Sequence, residues 1–320
     1  MKSIVSRKYF SKLSPDKIRN LKQKIPIIVI LVGIFPIGVT ILLTRGSLGI
    51  FIRNKQNDSN NIVAPYYDRS IFQKPLEFDQ IAATSSITLR NEARHNLPII
   101  MYHYVEYVAD AGDLIRKKLD ISPDNFERQL KAFKNAGFEG YFVRDIDNFL
   151  KDKNSFSSNK IFLTFDDGYE DFYSSAFPLL KKYNLKATVY IIDNYIGKKG
   201  YLGGKEIKEL IDSRLVEIGS HTLNHIYLKQ APSTLARREI FESKKNLEDK
   251  FGIKVETFAY PYGAFTRETV DLVKEAGYTA AVSVILGKYQ STENLYYLSR
   301  IRGGFFSGTD PQKVLEKISR

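Results

Sequence analysis

The sequence predicts an α/β protein built on a mostly parallel sheet with helices outside it, either open and doubly wound or closed into a barrel. Two observations carry this expectation. From about residue 97 onward, short apolar runs rich in β-branched residues alternate with amphipathic stretches at helical spacing. The side chains best suited to chemistry fall just after the predicted strands, at the end where parallel sheets gather their sites.

The chain opens differently. Residues 1–24 hold eight Lys and Arg against the single acid Asp16, whereas the whole 320-residue chain carries a formal +12. Much of the basic character is therefore concentrated at one end, which argues against nucleic acid as a partner. Ile25 to Leu43 follow without an ionisable side chain. At roughly 1.5 Å per helical residue that run is long enough to cross a bilayer core. The expectation is one transmembrane helix over 25–43, left uncleaved, with the basic segment cytoplasmic by the positive-inside rule and the remainder outside the cytoplasm. Residues 44–96 are polar and weakly patterned and read as a linker or lead-in, with His95 solvent-exposed. Residues 97–320 form the expected globular domain, of a size suited to a single core.

Within that domain strands are expected at Pro98–Tyr102, Ile161–Phe165, Ala187–Ile192, Val216–Gly219, Thr257–Tyr260 and Tyr278–Val284. Ser122-Pro123 signals a helix start, with Phe126, Leu130 and Phe133 at helical spacing and Gly137 as the stop. Ile207, Leu210, Ile211 and Leu215 mark a second helix. A third, highly charged helix runs from Ser233 to Lys250, and a fourth from Arg267 to Ala276. The composition, 43% hydrophobic with no Cys, excludes a disordered tail, a disulfide-stapled miniprotein, a cysteine zinc finger and a catalytic thiol.

Only four histidines occur, so their arrangement is informative. His221 and His225 are four residues apart, a spacing that places both imidazoles on one face of a helical turn, and a nearby carboxylate completes a two-His, one-carboxylate set for a divalent metal. Asp166-Asp167, after the second strand, can supply it. Adjacent side chains diverge, so one Asp can bind the metal and leave the other free to take a proton from water, whose pKa a metal lowers. Hydrolysis is the chemistry this implies.

Thr164-Phe165-Asp166-Asp167-Gly168, then Ser220-His221-Thr222-Leu223-Asn224-His225, then Phe258-Ala259-Tyr260-Pro261-Tyr262-Gly263 resemble the ordered motifs of NodB-type polysaccharide deacetylases, carbohydrate esterase family 4. The resemblance spans roughly Leu97 to Leu286. It implies a distorted (β/α) barrel of the NodB-homology type, preceded here by the transmembrane helix, and a divalent metal, Zn2+ above others. The reaction it implies is hydrolysis of a carbon–nitrogen bond, the N-acetyl group of an amino sugar in an extracytoplasmic polysaccharide. By the same resemblance Asp166 is the catalytic base, Asp167, His221 and His225 hold the metal, and Tyr262 offers a backbone N–H to the oxyanion.

Two departures matter. No His follows His225 to act as the general acid, so His103, after the first strand, takes that expectation; its placement is similar to that in the branch that deacetylates poly-β-1,6-N-acetylglucosamine. Ala259 and Tyr260 stand where many members have an Arg that orients the base, and Arg300 is the suggested substitute. Tyr260 and Tyr262 are the expected cleft aromatics. The Asp193-Asn194-Tyr195 segment either lines the mouth or forms a turn. Poly-N-acetylglucosamine is the expected substrate. The alternatives are peptidoglycan or a chitin oligomer and, in another class, a glycan-binding protein without turnover.

Overall fold

The computed structural model describes residues 28–34, 37–44, 47–54, 94–110, 112–152, 159–304 and 310–319. The chain separates into two units, Met1–Ser86 and Ile87–Arg320.

In the first unit β1 (Ile28–Ile34), β2 (Ile37–Thr44) and β3 (Ser47–Asn54) form an antiparallel sheet. The helix expected over 25–43 is corrected accordingly: its described residues are strand, and among the described residues no helix is long and apolar enough to cross a membrane. Ile, Val and Thr dominate IVILVGI and IGVTILLT, and such side chains favour a pleated surface. Pro36 lies in sequence between the two strands, and a continuous apolar run does not by itself distinguish strand from helix. The basic segment 1–24 and most of the lead-in, residues 55–93, lie outside the described residues.

The second unit is a barrel. Its strands are β4 (Ile99–Tyr102), β5 (Lys160–Phe165), β6 (Ala187–Ile191), β7 (Val216–Ser220), β8 (Thr257–Ala259), β9 (Ala280–Leu286) and β10 (Leu298–Arg302). They pair in parallel in the order β6-β7-β8-β9-β10-β4-β5, and β5 pairs with β6 to close the ring, Leu163 opposite Ala187. The helices are α1 (Leu114–Leu119), α2 (Pro123–Asn135), α3 (Ile146–Lys151), α4 (Phe177–Tyr183), α5 (Gly204–Asp212), α6 (Ser233–Phe251), α7 (Arg267–Glu275) and α8 (Pro311–Ser319). Of the two architectures the sequence left open, the closed one is formed. The strand β10 was not anticipated. His95–Asn96, expected to be exposed lead-in, pairs antiparallel with Tyr289–Gln290 at the domain's edge, where His95 is half-buried.

Both faces of the strands are covered, which is why they read as nearly unbroken apolar runs. Ile99, Phe162, Tyr190, Ala259, Val282 and Leu298 point inward and fill the barrel. Ile100, Leu163, Val189, Ile218 and Phe258 point outward against helix stripes such as Phe126, Leu130 and Phe133 of α2. Ser122 caps α2 as expected, its Oγ accepting from Asn125 N. The interior is narrow: a Cβ at Gly219 would lie 2.5 Å from the Tyr190 ring, so the glycine lets that ring occupy the barrel.

Low in the barrel Glu217 is buried, its carboxylate accepting from Thr188 Oγ1 at 2.6 Å and Thr257 Oγ1 at 3.1 Å. Burial raises its pKa to about 7, against the two threonines and Arg144. Because the folded protein holds this proton more tightly than the unfolded chain, the group favours folding most below about pH 4.5. That contribution, about 3 kcal/mol, is lost as pH rises to about 7. Glu217→Gln is expected to flatten the fall in thermal midpoint between pH 5 and 8 relative to wild type. An unchanged pH dependence would reject this assignment.

Candidate active site

Parallel closure brings all the strand C-termini to one rim. His103 follows β4, Asp166-Asp167 follow β5, His221 follows β7, and Tyr260 to Tyr262 follow β8. Asp166 keeps the inward parity of Phe162 and Thr164, and Arg300 keeps that of Leu298, so the two meet inside the barrel mouth. Arg300 Nη1 donates to Asp166 Oδ1 at 2.8 Å and Nη2 to Oδ2 at 2.7 Å, a bidentate pair. The guanidinium is fully buried and also donates from Nε to Ser283 O at 2.7 Å and from Nη1 to Thr164 Oγ1 at 3.1 Å. Burial alone would raise the Asp166 pKa, but Arg300 outweighs it and holds the carboxyl below its ordinary value. His103 Nε2 lies 3.8 Å from Asp166 Oδ2, outside hydrogen-bond range. Burial lowers the His103 pKa, against the pull of Asp166 and Asp167, so the imidazole rests neutral.

Asp167 diverges from its neighbour because its backbone turns left-handed, φ +73°. Its Oδ1 lies 3.3 Å from His221 Nε2 and 3.2 Å from His225 Nε2. Neither imidazole is aligned to donate, so this oxygen is buried without a hydrogen-bond partner. One ligand atom from each of the three residues lies within 4.8 Å of the others. An orphaned carboxylate oxygen crowded by two imidazole nitrogens fits a divalent cation, whose charge would satisfy all three.

The imidazoles do not converge as expected. Residues 222–224 form a turn rather than a helix, with left-handed backbone at Thr222 (φ +68°) and His225 (φ +56°). The rings still come to 4.9 Å between centroids. Thr222 Oγ1 accepts from His225 N at 2.9 Å, which makes the tight turn self-supporting. His221 Nδ1 is 2.7 Å from Ala259 O, which fixes the ring with Nε2 toward Asp167. Burial would lower the His221 pKa, but Asp167 and Asp166 outweigh it and raise it; at His225 burial prevails, pushing it down to about 4.

Tyr262, at φ +59°, lies 44% exposed with its ring 4.5 Å from that of His225 and 6.0 Å from that of Tyr227. Tyr260 is no cleft residue: it is fully buried, and its hydroxyl donates to Tyr296 O at 2.9 Å. Strand alternation would put both on one side, but Tyr262 falls in the turn Pro261–Gly263, whose left-handed backbone at this residue swings its ring out. Asp193 is likewise buried, paired with Lys250 and accepting from Asn246 Nδ2 at 2.8 Å, which makes its segment a structural turn. Sequence reasoning did not single out Thr222, whose hydroxyl supports the turn between the two histidines.

A closed parallel barrel whose rim pairs an Arg-bound carboxylate with an Asp-His-His cluster has the groups that hydrolysis of an acyl bond calls for. Residues 153–281 match the polysaccharide deacetylase family, and the chain carries a polysaccharide deacetylase domain of the NodB type. Members of this family are hydrolases acting on the carbon–nitrogen bonds of polysaccharide N-acetyl groups. The chain is 28% identical over 198 residues to the poly-β-1,6-N-acetyl-D-glucosamine N-deacetylase of Staphylococcus aureus, covering 58% of this chain and 68% of that one. The structure of the Streptococcus pyogenes deacetylase PplD in complex with acetate is similar at 29% identity and a TM-score of 0.64, covering 72% of this chain and 100% of the other. A polysaccharide deacetylase from Bacillus cereus is similar at 28% identity and a TM-score of 0.61, covering 70% and 69%.

Proposed function

We propose that this protein removes N-acetyl groups from an extracytoplasmic amino-sugar polysaccharide, poly-N-acetylglucosamine foremost, in a metal-dependent hydrolysis. The observation that carries the reading is the rim itself, with Asp166 held ionised by Arg300 beside the Asp167–His221–His225 cluster and His103 3.8 Å from Asp166. The similarity to the staphylococcal poly-β-1,6-N-acetyl-D-glucosamine deacetylase supports the choice of glycan.

Asp167, His221 and His225 would hold the metal, Zn2+ by their N and O donor set. When bound it supplies a lowered water pKa and polarisation of the acetamide carbonyl. Asp166, kept charged and oriented by Arg300, takes a proton from water as the oxygen attacks the carbonyl carbon. The Tyr262 backbone N–H donates to the developing oxyanion. As the C–N bond breaks, a proton must reach the departing nitrogen. His103 faces the same mouth 3.8 Å from Asp166 and hands a proton to the departing nitrogen, in net the one that Asp166 takes from water. Water and the acetamide thus become acetate and an amine, which takes up the remaining proton as an ammonium group.

A place outside the cytoplasm follows from the polysaccharide substrate of this reading, and fractionation of expressing cells tests it. The activity is tested by acetate release from poly-N-acetylglucosamine, chitin and peptidoglycan oligomers. Release from the first is expected to stop with a chelator and return with zinc. Preferential release from another glycan would reassign the substrate. A zinc-loaded protein that binds glycan without releasing acetate would favour the non-catalytic alternative.

A further inference from the structure

Helix α6 carries a buried carboxylate that the mechanism does not use. Glu239 is 1% exposed, yet it faces the loop of the metal ligands rather than solvent. Its Oε2 accepts Asn224 N–H at 2.9 Å and its Oε1 accepts Asn224 Nδ2 at 2.7 Å. The remaining polar atom of that amide, Oδ1, accepts from Asn194 Nδ2 at 2.8 Å. Asn224 immediately precedes His225, one of two residues in the four-residue segment 222–225 that adopt the left-handed conformation disfavoured for side chains with a Cβ. Such a backbone persists where its surroundings impose it. Here Asp193 N donates to Thr222 O at 3.1 Å and Asn194 N to Leu223 O at 3.0 Å, so the segment is gripped from the β6 side as well. Asp193 is in turn anchored by Asn246 and Lys250. Residues 239, 246 and 250 share one face of α6, because seven and eleven positions are close to whole helical turns.

We propose that Glu239 is a positioning residue for the metal-binding cluster, setting the place of His225 Nε2 through Asn224. The proposal rests on the metal role assigned above to Asp167, His221 and His225. Asn224 presents two donors, and only a carboxylate offers an acceptor oxygen to each. A glutamine of the same shape turns an amide toward one of them.

Glu239→Gln is expected to lower zinc affinity 10- to 100-fold in a competition titration against a chromophoric chelator, as for other partners that support metal ligands. Its circular dichroism and metal-free thermal midpoint should stay near wild type. At saturating zinc the kcat for acetate release should return to within a few-fold of wild type, since Glu239 touches neither substrate nor metal. Asn224→Ala removes the side-chain half of the link, Nδ2 to Oε1, from an exposed position while its backbone N–H still reaches Oε2; it should lower zinc affinity in the same direction by at least several-fold, with the double variant no worse than Glu239→Gln alone. If Glu239→Gln fails to fold, Asn224→Ala decides the matter alone. A lowered midpoint with affinity within twofold of wild type would make Glu239 merely structural and overturn the proposal. A wild-type protein that takes up no zinc would overturn the metal reading and this inference with it; normal zinc uptake by wild type and variants alike would overturn only the inference.

Discussion

Asp166→Asn is expected to abolish acetate release, a loss on the order of 10²- to 10⁴-fold, while zinc content stays at the wild-type level. The amide cannot accept the proton, whereas the metal cluster uses Asp167, whose side chain diverges from Asp166. The same change leaves a fully buried guanidinium without its anion. Breaking a buried pair from one side costs about 3–5 kcal/mol, so a lower thermal midpoint should accompany the lost rate. Contacts of Arg300 with Ser283 and Thr164 should keep the fold intact at room temperature. Activity, bound metal and unfolding measured on one preparation separate the two effects. A variant that stays folded and zinc-loaded and still releases acetate would remove Asp166 from the role of base.

His103→Ala is expected to reduce turnover about 10²- to 10³-fold with both metal content and the Asp166–Arg300 pair unchanged. The imidazole comes within 3.8 Å of Asp166 without a hydrogen bond to it, so deleting the ring removes a proton donor without breaking a bond to the base. Added imidazole should restore part of the rate, because the vacated space adjoins the mouth. Near-normal release by the alanine variant would show that the departing amine obtains its proton elsewhere.

Much of the barrel was legible from the sequence because buried parallel strands announce themselves as apolar runs. Ile161–Phe165 was expected and Lys160–Phe165 is found; Val216–Gly219 was expected and Val216–Ser220 is found. The strand β10 escaped notice for a physical reason. In LSRIR an arginine occupies a position that faces the barrel interior, which breaks the hydrophobic signature while serving the site. The residue departing most from pattern is thus the one that holds Asp166, and strands that violate their own periodicity are where function is to be expected. The metal cluster was legible as residue types in order along the chain, but its geometry was not. The histidine pair comes together through a left-handed turn, and nothing in four-residue spacing separates that from a helix. The apolar run 25–43 is ambiguous for the converse reason: length and hydrophobicity suit both secondary structures, while its β-branched content favours the strands formed by Ile28–Ile34 and Ile37–Thr44.

The ring of seven strands is completed by pieces from outside the segment that identifies the family. Residues 153–281 include β5 to β8 but neither β4 nor β10, and therefore neither His103 nor Arg300. A fragment trimmed to that segment would be a hoop with staves missing, its raw ladders open to any passing chain. It would keep the recognisable signature while losing Arg300, the counter-ion of Asp166, and His103 beside it. Recombinant work on this domain must begin before the first stave and end after the last.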